Sequence, residues 1–126
     1  MLVLDSCAVT RLAGRSRQNA ATIAVLRREG LWPPMVPSVV VVETLTGRSG
    51  PDANTNRLLK TCEIVAEVSE TAARRAAHLR FRSKHGSAVD AIVIATAEPG
   101  GFVLTGDPVD LEALASHADH VNVDTI

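Results

Sequence analysis

Four acidic residues are embedded in apolar sequence rather than in charged surface stretches. Asp5 ends the segment MLVLD, Glu43 follows four consecutive valines, Asp90 opens DAIVIATA, and Asp107 follows FVLTG. Two carboxylates about 5 Å apart at an effective dielectric of about 20 repel by roughly 3 kcal/mol, so a cluster of four needs compensation. A divalent cation gives that compensation, and carboxylate oxygens favour Mg²⁺ or Mn²⁺. This pattern predicts a metal site and suggests a metal-dependent nuclease.

Each acid also has a structural explanation that must be weighed against the metal site. Asp5 could cap a helix, Asp90 fits the third helical position of a capping box, and Asp107 precedes Pro108 at a typical helix start. Glu43 is harder to explain in this way, because it lies on an apolar segment without a basic neighbour. Capping and metal binding are compatible, since a carboxylate has two oxygens.

Length and composition indicate one globular domain over residues 1–126. Apolar residues make up 46% of the 126, which excludes a disordered chain. Cys7 and Cys62, in a chain without a recognisable signal peptide, favour a reducing compartment, and we expect a cytoplasmic protein. The longest apolar runs are interrupted by Pro37, Glu43 or Asp90, so no membrane span is predicted.

Short apolar strands alternate with helical segments along the chain. Strands are predicted at residues 2–4, just before Ser38, and at 64–68, 102–105 and 121–123; helices are predicted at 6–13, 17–29, 39–46, 52–62, 69–85, 87–97 and 107–115. The valines after Ser38 also allow a strand, although Ser38 itself is typical of a helix N-cap. Asp52 can cap the helix that runs to about Cys62. The alternation predicts an α/β fold with a mostly parallel central sheet flanked by helices. Asp5 and Asp107 would then lie at the carboxyl edge of that sheet, where such folds bind ligands.

The segments LVLDS, PSVVVVETLTG, DAIVIATA and VLTGDPVDL, in this order, resemble the PIN-domain ribonucleases, specifically the VapC-type toxins of bacterial toxin–antitoxin pairs. The resemblance covers the whole chain and implies a PIN-like three-layer fold. It also implies that Asp5, Glu43, Asp90 and Asp107 are the catalytic residues and hold one or two Mg²⁺ or Mn²⁺ ions. Ser6, Thr105 and Asp110 match supporting positions beside these acids. Local backbone hydrogen bonding is the alternative role for Ser6 and Thr105.

The same resemblance implies an activity and partners. The expected reaction is hydrolysis of RNA phosphodiester bonds to inhibit translation or growth, and the expected partners are a VapB-type antitoxin and a second copy of the chain. One departure is the segment EPGG after Ala97, where related chains commonly continue the helix.

A net charge of −1 gives no general attraction for RNA, so binding depends on a local basic patch. The candidate RNA-binding residues crowd one predicted helix: Arg74, Arg75, Arg80, Arg82 and Lys84. A second candidate patch consists of Arg11, Arg15 and Arg17. A solvated helix face is the alternative explanation for the first patch. Aromatic residues are scarce, so the sequence predicts recognition by RNA shape and backbone rather than by base stacking.

Three other classes can be compared with this interpretation from the sequence alone. A non-catalytic PIN-like module that binds RNA or protein would keep the fold without the chemistry. A phosphoacceptor receiver domain also places aspartates at strand ends, but it requires adjacent acids after the first strand, where this chain has Ser6 and Cys7. A haloacid-type phosphatase would require an aspartate in place of Cys7.

Overall fold

The computed structural model describes residues 1–126, which form five strands and seven helices. The strands are β1 (Leu2–Leu4), β2 (Met35–Pro37), β3 (Glu63–Val65), β4 (Phe102–Thr105) and β5 (Asn122–Thr125). The helices are α1 (Ser6–Ala13), α2 (Arg17–Arg28), α3 (Ser38–Thr44), α4 (Ala53–Leu59), α5 (Glu70–Ser83), α6 (Ala88–Ala97) and α7 (Pro108–Ala115). Every predicted element is present, with boundaries that differ by a few residues.

The five strands form one sheet in the order β3-β2-β1-β4-β5, and every neighbouring pair is parallel. The chain first extends the sheet from β1 to β3, and then crosses over to place β4 on the other side of β1. This reversal makes the carboxyl ends of β1 and β4 a topological switch point, where open α/β sheets bind ligands. The predicted α/β class with a parallel central sheet is confirmed.

The helices pack in two groups around the sheet in a three-layer arrangement. Helices α5, α6 and α7 contact one another, and α1 contacts α2, α3 and α4. The central strands are buried, with Val3, Leu4 and Val103 at or near zero exposure. Their sequences are continuously apolar because strands covered on both faces have no solvent side. None of the helices is both long and apolar enough to cross a membrane.

The valine-rich segment resolves as a short strand followed by a helix. Strand β2 ends at Pro37 and α3 begins at Ser38, so the alternative of a continued strand is wrong. The prediction that Ser38 caps this helix is also wrong: its hydroxyl donates to the Ala66 carbonyl at 3.0 Å instead. Val40 is fully buried whereas Val42 is 79% exposed, because the helical period distributes the valines around α3.

The loop between α3 and α4 is held by Asp52, which the sequence assigned to helix capping. That assignment is wrong, since the Asp52 side chain makes no capping bond to α4. Its Oδ1 accepts hydrogen bonds from the amide and hydroxyl of Thr46, both at 2.9 Å, and Oδ2 accepts from the Gly47 amide at 2.9 Å. Asp52 therefore folds the preceding loop back against the start of α4.

The EPGG segment forms a tight turn between α6 and β4. The Gly101 amide donates to the Ala97 carbonyl at 2.9 Å. A Cβ at Gly101 would lie 2.5 Å from that same carbonyl oxygen, so the turn requires glycine there. The turn ends α6 at Ala97, as the sequence indicated.

Candidate active site

Three of the four acids meet at the topological switch point of the sheet. Asp5 directly follows β1, and Asp107 lies two residues beyond Thr105, the last residue of β4. The Asp5 amide donates to the Leu104 carbonyl at 3.4 Å, which joins the two strand ends. Asp90 lies in the first turn of α6, a helix that packs on β1, β2 and β4. Residues far apart in sequence are thus placed at one edge of the sheet.

Asp5 is 7% exposed, and both of its carboxylate oxygens are hydrogen-bonded. Oδ1 accepts from the Ala8 amide at 2.7 Å, which caps α1 as the sequence predicted. Oδ2 accepts from the Thr105 hydroxyl at 2.5 Å. The Thr105 oxygen also accepts from the Asp107 amide at 3.0 Å, so this fully buried threonine joins Asp5 to the turn that carries Asp107.

Asp90 and Asp107 each retain oxygens without a hydrogen-bond partner. The capping box predicted for Asp90 is present: its Oδ2 accepts from the Ser87 amide at 3.0 Å, and the Ser87 hydroxyl accepts from the Asp90 amide at 3.1 Å. Asp107 precedes Pro108 at the start of α7, but its side chain does not cap that helix. The capping explanation is therefore correct for Asp5 and Asp90, and wrong for the side chain of Asp107.

Asp90 and Asp107 act electrostatically on Asp5. Burial raises the pKa of Asp5, the hydrogen bonds from Thr105 and Ala8 oppose that rise, and the charges of Asp90 and Asp107 add to it. No lysine or arginine forms an ion pair with any of the three. The carboxyl edge consequently holds acidic side chains without an ion-pair partner around a buried carboxylate, although the Arg11 guanidinium packs against Gly106.

Glu43 lies apart from this group. Its helix, α3, begins at the carboxyl end of β2, the strand next to β1. The side chain is exposed, makes no hydrogen bond or ion pair, and is not among the charges that act on Asp5. No three histidine, cysteine, aspartate or glutamate side chains are arranged to enclose a metal ion.

The donor set nevertheless fits a hard divalent ion. Asp90 and Asp107 present free carboxylate oxygens beside Asp5, and Mg²⁺ is commonly held by one or two carboxylates while water completes its octahedral shell. Such an ion would also offset the repulsion from Asp90 and Asp107, which adds to the effect of burial on the pKa of Asp5. The absence of a closed protein cage is therefore compatible with Mg²⁺ or Mn²⁺ at this edge.

The other predicted supporting residues differ in their surroundings. Ser6 is the first residue of α1, is half-buried and leaves its hydroxyl without a protein partner, so the backbone hydrogen bond considered for it is absent. Asp110 is exposed in the first turn of α7, and its Oδ1 lies 3.8 Å from Nδ1 of His85. This contact connects α7 to the loop that leads into α6.

Two of the five predicted RNA-binding residues are engaged in ion pairs. Arg74 contacts Glu70 at 2.9 Å on the exposed surface. The Arg75 Nε lies 3.0 Å from both oxygens of Glu98, and its Nη2 donates to the His117 carbonyl at 3.3 Å. The Glu98 partner was missed because it lies 23 residues away, and no local pattern signals that contact. Arg80, Arg82 and Lys84 have no acidic partner.

Two arginines of the second basic patch, Arg11 and Arg15, lie in different surroundings. Arg11 donates from Nη1 to the Ile126 carbonyl at 2.9 Å, near the end of β5. Arg15 lines a pocket of about 290 Å³ among α1, α2 and α4, together with Trp32 and Arg27. The Arg27 guanidinium lies 5.6 Å from the centre of the Trp32 ring, and the buried Trp32 Nε1 has no hydrogen-bond partner. None of the four acids lines this pocket. No pattern in the sequence indicated that the pocket exists.

The sequence of nearly the whole chain matches one described family. A family model of the PIN domain covers residues 2–115. This chain belongs to the PIN-domain family. The family resemblance inferred from the four segments is confirmed, and the family assignment replaces the receiver-domain and phosphatase alternatives. No curated protein sequence matches the chain.

Solved structures with the same fold include two toxin–antitoxin assemblies. VapBC2 from Rickettsia felis, bound to a DNA fragment from its promoter, has a TM-score of 0.70 at 11% identity, covering 99% of this chain and 98% of that one. A toxin–antitoxin complex from Klebsiella pneumoniae has a TM-score of 0.64 at 21% identity, covering 96% and 95%. At such low identity, these matches establish a common PIN-domain fold and not a common activity.

Proposed function

We propose that this PIN domain is a VapC-type toxin: an endoribonuclease that depends on Mg²⁺ or Mn²⁺ and hydrolyses RNA phosphodiester bonds. The observation that carries the proposal is the buried Asp5 carboxylate, placed beside Asp90 and Asp107 at the switch point, where no lysine or arginine forms an ion pair with any of the three. A purely structural site would be expected to pair such charge, because unpaired buried acids destabilise a fold. The toxin identity is supported by the toxin–antitoxin assemblies that share the fold.

The residues at the site would have distinct roles. Asp5, Asp90 and Asp107 would hold the cation, and Glu43 would approach from α3 as a further acidic ligand. When bound, the ion supplies Lewis acidity for the attacking water and offsets charge on the scissile phosphate. Thr105 keeps the Asp5 carboxylate oriented through its hydrogen bond. Ser6 and Asp110 are the further supporting residues that we propose. Fixed orientation is what such neighbours of ligands contribute.

Partners and organisation follow from the same proposal. The single domain over residues 1–126 would act in the cytoplasm as a homodimer, restrained by a VapB-type antitoxin. A basic side chain of the antitoxin inserted beside Asp5 and Asp90 would neutralise the charge that otherwise attracts the metal. Inhibition would then follow from competition with the cation.

The nuclease proposal is tested with purified protein and structured RNA. We expect cleavage in the presence of Mg²⁺ or Mn²⁺, no cleavage in EDTA, and loss of cleavage in Asp90→Asn. Asp124→Asn, an exposed aspartate on β5, is the matched control and should cleave normally. Equal cleavage by wild type and Asp90→Asn, or cleavage that persists in EDTA, would show that the acids are not the metal site.

The antitoxin proposal has a separate test. The product of any short reading frame adjacent to this gene is co-expressed with the chain, and we expect the two to copurify and growth inhibition to be relieved. If the adjacent product neither copurifies nor relieves toxicity, it is not an antitoxin for this chain.

A further inference from the structure

The two ends of α5 differ in how their positive charges are balanced. At the beginning of the helix, Arg74 is paired with Glu70, and Arg75 is paired with the half-buried Glu98. In the last turn, Arg80 and Arg82 have no acidic partner, and neither does Lys84, which follows the helix as its C-cap residue. The available positive charge of this helix is therefore concentrated at its C-terminal end.

A large exposed aromatic side chain lies within that charged end. Phe81 is 75% exposed, between Arg80 and Arg82. It lies two residues after the fully buried Leu79, so it points away from the helix face that packs against the protein. Cations near the last turn are explained by the helix dipole, but an exposed phenylalanine is not. Packing within this chain gives Phe81 no role.

The end of α5 adjoins the carboxyl edge of the sheet. A Cβ at Gly86 would lie 2.6 Å from Leu114 Cδ1 and 3.5 Å from Asp90 Cβ, so the loop after α5 is pressed against α7 and the start of α6. In the same loop, His85 lies 3.8 Å from Asp110. An RNA strand leaving the acidic site across this loop would meet the end of α5.

We propose that Phe81 stacks on an unpaired base of single-stranded RNA, while Arg80, Arg82 and Lys84 contact the adjoining phosphates. An aromatic face combined with cations along a surface is the usual means of holding single strands without strict sequence preference. The choice of RNA as the ligand rests on the proposed ribonuclease function. The inference departs from the expectation that this chain lacks a stacking residue, because that expectation counted aromatics without knowing their exposure.

The test measures binding separately from cleavage. Fluorescence anisotropy in EDTA is recorded for a labelled oligoadenylate of about 12 nucleotides and for an abasic strand of equal length and charge. We expect Phe81→Ala to weaken binding of oligoadenylate about 5-fold or more and to leave binding of the abasic strand unchanged. Phe81→Trp should retain the wild-type affinity, since it keeps an aromatic face.

Matched variants separate stacking from charge. Arg82→Gln should weaken binding of both strands, whereas Arg74→Gln should change either affinity less because Arg74 is already paired. Val25→Ala removes another exposed apolar side chain, on α2, and should have no effect.

The proposal is overturned if Phe81→Ala binds oligoadenylate as tightly as wild type, or if wild type binds neither strand. It is also overturned if Phe81→Ala turns a dimer into a monomer in analytical ultracentrifugation while RNA affinity stays constant, because Phe81 would then contact a second copy. If base-dependent binding requires Phe81 but no RNA is cleaved with Mg²⁺, the proposed nuclease function fails and the stacking site stands.

Discussion

Asp5 and Asp52 are two buried aspartates, each located just before a helix, with opposite electrostatic environments. Asp5 is 7% exposed and Asp52 is 4% exposed. Burial raises the pKa of Asp5, and the neighbouring Asp90 and Asp107 raise it further. Hydrogen bonds from Thr46 lower the pKa of Asp52, and burial opposes that effect. Hydrogen bonds from the Gly47 and Arg48 amides lower the pKa further. The fold therefore stabilises the charged form of Asp52 and disfavours the charged form of Asp5.

The difference separates a carboxylate whose role in the fold is clear from one that is a candidate for function. Asp52 has amide and hydroxyl donors around both oxygens and no acid acting on it, so its charge contributes to the folded loop. Asp5 also has two donors, but they do not outweigh desolvation and the two neighbouring charges. Acids kept in an unfavourable arrangement are candidates for function, since stability alone does not explain them.

The largest expected effect is on catalysis. Asp5→Asn should reduce RNA cleavage about 100-fold or more, because it removes a proposed metal ligand while keeping the side-chain shape. Asp52→Asn should cleave at nearly the wild-type rate per folded molecule. Initial rates with saturating Mg²⁺, corrected for folded protein by circular dichroism, measure both. Comparable losses of cleavage rate in the two variants would show that Asp5 and Asp52 do not differ in their contribution to catalysis.

A smaller catalytic loss is expected when the partner of Asp5 is changed. Thr105→Val removes the hydroxyl bonded to Asp5 and should lower the cleavage rate about 10-fold, as for groups that orient metal ligands. The control is Thr96→Val on α6, whose hydroxyl donates only to the Ile92 carbonyl. If both threonine variants show the same rate, Thr105 does not position Asp5.

Thermal stability should be lowered by the substitution of Asp52 and not by the substitution of Asp5. In EDTA at neutral pH, Asp52→Asn should lower Tm by several degrees, because hydrogen bonds to a charged acceptor are weakened in the loop that it organises. Asp5→Asn should raise Tm or leave it unchanged, since it removes a charge that the fold disfavours. Differential scanning calorimetry of the three proteins gives the comparison. A Tm for Asp5→Asn well below that of wild type would contradict it.

The smallest effect is on the pH dependence of stability without metal. Because the folded pKa of Asp5 is raised above 3.8, its stabilising contribution is present below the unfolded pKa and is lost as pH rises through the folded pKa. The contribution of Asp52 has the opposite sign: it is present above 3.8 and is lost as pH falls through the lowered pKa. The Tm difference between Asp5→Asn and wild type should therefore shrink from about pH 7 to about pH 4. A difference that is constant across this range would indicate that Asp5 has an ordinary pKa.

Local patterns in the sequence were sufficient for the elements and for some caps. The capping box of Ser87 and Asp90 and the cap at Asp5 involve partners within three residues, so the sequence contains all that they require. The predicted caps at Ser38 and Asp52 failed, because their side chains bond to Ala66 and to the preceding loop. A polar side chain takes the partner that the fold presents, and that partner can be distant in sequence.

The sequence by itself determined the alternation of strands and helices and the parallel sheet, and it marked four acids as candidates for a site. Only the tertiary structure decided that β4 lies beside β1, which joins Thr105 to Asp5 across 100 residues, and that Glu43 remains apart. It also decided that Arg75 is neutralised and Phe81 is exposed. The physical reason is range: helix periodicity and capping depend on neighbours a few residues away, whereas burial and charge compensation depend on which distant segments pack together.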